Sequence, residues 1–128
     1  MKPLLHLFVF VALTAAATSA PAHEARSSKG AARTTTVTGE IVDMGCYLSH
    51  GSHGPDHKSC ASRCLASGMP IGLLTADDKL YLLTLNHDDP DPYNRCKQMA
   101  AENVRVTGML EQRNGLSAID VADVRPAK

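Results

Sequence analysis

The chain has 128 residues, with 13 basic and 13 acidic side chains and a formal charge of zero. Nucleic-acid binders normally carry a basic face and a high pI, which this balance excludes, and no Trp, two Phe and three Tyr provide little for stacking bases. The length supports one hydrophobic core rather than two.

The first residues have the form of an export signal. Lys2 gives a positive start, Leu4 to Ala17 is an apolar run broken by His6 and Thr14, and Ala20-Pro21-Ala22 has the small-x-small form that a signal peptidase cleaves. Residues 1–22 are therefore expected to be a signal peptide and the protein to be periplasmic or secreted. The apolar run is shorter than the roughly 20 residues that a helix needs to span a bilayer. No later segment is comparably apolar, so no membrane span is expected after cleavage. Removal of residues 1–22 takes away both phenylalanines and Lys2, leaving 12 basic and 13 acidic side chains. A core so poor in aromatics gains from a covalent or metal staple.

Residues 23–34 are small and polar, without apolar period, and read as a flexible leader. Residues 35–125 are expected to form a single domain. Thr36 to Val42 alternates as a strand does, with Gly39 marking a bulge or bend. Ser49 to Asp56 reads as a loop, and Lys58 to Ser67 as a short helix stopped by Gly68. Strands are predicted at Ile71 to Thr75 and Leu80 to Leu85, then a polar loop at His87 to Pro92 and a helix at Tyr93 to Glu102. Val104 to Glu111 and Leu116 to Val124 read as a final hairpin, because Asn114-Gly115 is a strong two-residue turn signal. Val37-Thr38-Gly39 is echoed at Val106-Thr107-Gly108, as if two strands bent at the same kind of glycine. The order of elements is that of a mainly β fold with two short helices, a small five-stranded OB-like barrel.

The chemistry-bearing residues lie around the first predicted helix. On that helix His57, Cys60 and Cys64 fall at i, i+3 and i+7 and share a face. Cys46, at the end of the first strand, is within reach of that face across the intervening loop. One imidazole and three thiolates form a tetrahedral donor set for zinc or a soft pocket for copper(I), and the Met69 thioether is a fifth candidate. Asp43 is a candidate either to orient the imidazole from behind or to cap the next turn. The competing reading is covalent. Four cysteines in an exported chain can pair as disulfides among Cys46, Cys60, Cys64 and Cys96, which would make this a structural or protein-interaction domain with an exported protein as partner.

Weaker candidates are the loop histidines His50, His53 and His57, spaced to gather a metal loosely, and the acidic run His87 to Asp91. That run lacks the glycine and terminal Glu of a calcium loop. No G-x-S-x-G frame or phosphate-cradling glycine loop is present, so no catalytic residue is assigned.

The runs V-T-G-E-I-V-D-M-G-C-Y, H-x-x-C-x-x-x-C, G-M-P-I-G-L-L-T and K-L-Y-L-L, with Asn94 to Lys97, resemble a family of small exported bacterial proteins. The resemblance extends over most of residues 36–124. It implies an OB-like fold and leaves the activity open. Asp43, Cys46, Tyr47, His57, Cys60, Cys64, Gly68 and Pro70 belong to that pattern, and Cys96 does not. Three pattern cysteines leave one thiol unpaired by disulfides, which the resemblance turns toward a ligand role. Cys96 is then an addition, either capping the odd thiol or staying free.

Cleavage after Ala22 places the mature N-terminus at His23. Sequencing the exported protein from its N-terminus checks this, and Met1 retained in a soluble exported form would overturn it.

Overall fold

The computed structural model describes residues 33–128. The expected signal peptide and most of the expected leader lie outside the described residues. Five strands form a closed barrel: β1 (Arg33–Asp43), β2 (Ile71–Leu74), β3 (Leu80–Leu85), β4 (Asn103–Arg113) and β5 (Leu116–Pro126). Their order around the barrel is β1-β2-β3-β5-β4, with β4 returning to β1. All neighbours are antiparallel except β3 and β5, which pair in parallel from Leu82↔Ala118 to Leu85↔Val121. This is the expected five-stranded barrel. Closure pairs each strand on both sides and leaves no free sheet edge.

β1 begins at Arg33, so Arg33 and Thr34, assigned to the leader from composition, are strand residues paired to Leu110 and Met109. The first eight residues of β1 pair with β4 and the last four with β2, with Glu40 shared between the two. Alternation puts Ile41 inside, together with Leu73, Leu83, Val104, Val106 and Ile119, all essentially without solvent exposure. Three helices are present rather than two: α1 (Met44–His50), α2 (Lys58–Ala66, preceded by a 3₁₀ turn at Pro55–His57) and α3 (Asp91–Gln98). Helix α2 turns Ala61 and Leu65 into the core, and α3 turns Pro92 and Cys96 inward. Among the described residues no helix is long and apolar enough to cross a membrane.

The Asn114-Gly115 turn forms as read, with φ of 50° and 83°. The two echoed glycines are needed for a different reason than a positive φ, which neither has. A Cβ on Gly39 would lie 2.5 Å from the Leu74 carbonyl oxygen, and one on Gly108 would collide with the Asp120 carbonyl oxygen. At Gly108 the β4–β5 register also shifts. Here neighbouring backbone passes too close for any side chain.

Gly108→Val and Gly39→Val are expected to destabilise the domain by about 1–3 kcal/mol each through overpacking. Urea denaturation checks this, and unchanged midpoints in both variants would refute the close-approach account.

Candidate metal centre

The site is built where β1 runs out. Asp43, the last residue of β1, pairs with Ile71 and is 0 % exposed. Its backbone is still extended (φ −78°, ψ 128°), while the chain beyond it turns into α1, so it stands as the N-cap. One carboxylate oxygen, Oδ1, accepts the Cys46 N–H at 2.8 Å. Helix α1 then ends at Gly51, whose φ of 67° lets its N–H turn back to the Tyr47 carbonyl. This capped turn brings Cys46 over the end of the barrel.

The second oxygen, Oδ2, lies 3.0 Å from Nε2 of His57. Burial works against the charge of Asp43, yet the Cys46 amide, the Cys46 thiol and His57 outweigh it and hold the carboxyl below its ordinary value. An ionised carboxylate only accepts hydrogen bonds, so Nε2 donates to it, and a tautomer with its hydrogen there keeps a lone pair on Nδ1. His57 is the N-cap residue of α2. On α2 the stripe next to the buried Ala61 and Leu65 carries Cys60 and Cys64, both half-buried.

These elements bring a ligand nitrogen of His57 and the sulfurs of Cys46 and Cys60 within 4.8 Å of one another. A second grouping, to the same limit, joins Cys46 and Cys64 to a carboxylate oxygen of Asp43. Cys46 is common to both. The structure therefore draws together the residues expected from the sequence, with Cys64 in the grouping that holds Asp43 rather than in the one that holds His57. Asp43 both orients the imidazole and caps the turn, and it is also near enough to the sulfurs to act as a donor itself.

The surroundings favour the protonated form of two of the thiols, Cys46 and Cys64. Cys46 is pushed up to about 12, first by its hydrogen bond to Asp43 and then by burial and by Cys60. Cys64 is pushed up by burial and by Cys60. A tetrahedral zinc site with bonds of about 2.0–2.3 Å separates its donors by roughly 3.5–3.8 Å. Groups already within 4.8 Å reach that spacing by small side-chain movements.

All four cysteines are free, and none stands at disulfide-bonding distance from another. Cys96 is in neither grouping. It is fully buried on α3, its Sγ donates to the Pro92 carbonyl at 3.4 Å, and burial raises it to about 11. It packs as a small apolar residue and does not cap an odd thiol.

The other candidates do not converge. His53 pairs with Glu40 at 3.5 Å and sets its ring edge-on to Tyr47. Among the described residues, His50 and His53 belong to no metal-sized grouping. The acidic run is a turn held by its own backbone: Asn86 Oδ1 accepts from Asp88 N–H, and Asp89 Oδ1 from Asp91 N–H. Glu40 was not anticipated. It accepts the Gly54 N–H as well as facing His53, and so holds the loop that delivers His57. Its partners lie 13 and 14 residues away, and no local spacing announces them.

A scan against protein-family models and searches of curated proteins and solved structures return no match. The reading of the site rests on its own residues.

Asp43→Ala is expected to lower stability by about 1–2 kcal/mol through the lost cap alone, and further by leaving His57 without its partner. Because folding holds this carboxyl below its ordinary value, its contribution is complete above about pH 4 and fades as pH falls through the folded value. The gap between wild type and variant, followed by urea denaturation against pH, should therefore close in acid. A gap as wide at pH 2 as at pH 7 would show that Asp43 acts through packing alone.

Proposed function

We propose that this protein is an exported metal-handling module that holds zinc or copper(I) on Cys46, His57, Cys60 and Cys64, with Asp43 behind the imidazole. The observation that carries this reading is the Cys46, His57 and Cys60 grouping, its histidine held from behind by a fully buried carboxylate. A carboxylate behind a ligand histidine fixes the ring and raises its basicity. Sulfur and imidazole donors favour zinc or copper(I) and disfavour calcium and magnesium, which prefer oxygen. A cation takes the place of the thiol protons around Asp43, so binding releases protons and weakens as pH falls. The half-buried sulfurs let an ion enter and leave, which fits handling or transfer. The export signal read at residues 1–22 supports a role in the periplasm or outside the cell.

Titration of the reduced protein with zinc and with copper(I) tests the reading. One equivalent is expected to bind, with affinity lost in His57→Ala and Cys60→Ser and unchanged in Cys96→Ser. If neither ion binds above background, the cysteines serve structure and the site reading fails. If Cys96→Ser releases the metal, the site lies elsewhere.

A further inference from the structure

One more sulfur lies beside the first of the cysteine-bearing helices. Past the end of α2 the Gly68 N–H (φ 96°) donates to the Leu65 carbonyl, and the Met69 N–H donates to the Cys64 carbonyl at 3.0 Å. One residue on, the Pro70 carbonyl accepts the Met44 N–H, at the first residue of α1. Met69 is thereby fixed between the end of the helix that carries Cys64 and the start of the helix that carries Cys46. Its side chain lies over Gly45, the residue before Cys46. A Cβ built on Gly45 would meet the Met69 Sδ at 2.8 Å and Cε at 2.7 Å. The space that holds the thioether exists because position 45 has no side chain. Met69 nonetheless remains 36 % exposed, among the few large apolar side chains left so open. Core packing does not account for a methionine held in place by backbone on both sides and open to solvent.

We propose that Met69 is a thioether ligand of the metal centre and makes it selective for copper(I) over zinc. The inference rests on the reading of the site given above and names its cargo. Thioether sulfur is a soft, neutral donor that suits copper(I), whereas structural and catalytic zinc sites use thiolate, imidazole and carboxylate. Neutrality matters here. The site already holds the buried charge of Asp43, and every thiolate adds another negative charge, while a thioether adds a donor and no charge. Met69 at the rim is also the donor that an incoming ion meets first and a departing ion leaves last.

Met69→Leu keeps the size and apolar character of the side chain over Gly45 and removes only the sulfur. Gly45→Ala keeps every donor and displaces the thioether. Losing even an outer partner of a metal ligand costs about 10–100-fold in affinity. Both variants are therefore expected to weaken copper(I) binding about tenfold or more in anaerobic competition with a chromogenic copper(I) chelator, with zinc affinity unchanged. X-ray absorption at the copper edge of selenomethionine-labelled full-length protein supplies a direct readout. A copper–selenium scattering path is expected, and Met69→Leu should abolish it although Met1, Met44, Met99 and Met109 remain labelled. Copper(I) bound with no selenium neighbour and with equal affinity in both variants overturns the role of Met69 and leaves the site reading standing. Equal losses of zinc and copper(I) in Met69→Leu also overturn it, because Met69 would then act by holding the helices. Binding of neither metal to the unmodified protein overturns both.

Discussion

The structure turns on a single buried carboxylate. Asp43 closes β1 at the rim of the barrel, without solvent, and a charge in that position is tolerated only if its oxygens are satisfied. Oδ1 takes the Cys46 N–H and starts α1, while Oδ2 takes His57 and fixes the entry to α2. The partners that make burial of the charge affordable are thus a backbone group of one candidate ligand and the ring of another. Stability and site geometry are not separable here. A rearrangement that spoils one oxygen's contact releases both a helix and a donor.

The barrel supplies the rigidity that this arrangement requires. Asp43 is paired to Ile71, and two residues earlier Ile41 is stitched to the start of β4 through Glu102 and Ala101. The rim therefore cannot move as a free loop would. Glu40, on the outer face of the same strand, reaches the loop from the other side through Gly54 and His53. One short stretch of β1 places both anchors of the 51–57 segment. Cys96, chemically able to compete, is kept out of the chemistry by full burial in the core.

Much of the fold was legible because its signals are local. The alternation in β1, the Asn114-Gly115 turn and the glycine stop at Gly68 each depend on a few adjacent residues. Helix α1 was missed because seven residues that include Gly45 and Ser49 show no apolar period, and none of them is fully buried. Its signature lies in its ends, Asp43 and Gly51, rather than its interior. Helix α3 begins at Asp91 because a proline is acceptable in a first turn, and the chain leaves helical geometry before Ala101, where φ is 58°. The donor set was readable by residue type, but its division was not. Helical spacing put His57 and Cys64 on one face, yet His57 closes a 3₁₀ turn ahead of α2, and Cys64 groups with Cys46 and Asp43 instead.

The long first strand also gives the domain a direction. From Arg33 to Asp43 the chain covers about 30 Å at the usual rise of a strand. The N-terminal segment therefore joins the barrel far from the cysteine rim. The C-terminus does the opposite: Pro126 pairs with Val104, and Ala127 donates to Asn103, the residue opposite Glu40. A surface, fusion partner or bead attached ahead of Arg33 would hold the domain by its base with the sulfur-bearing mouth pointing away. The same attachment behind Lys128 would crowd that mouth.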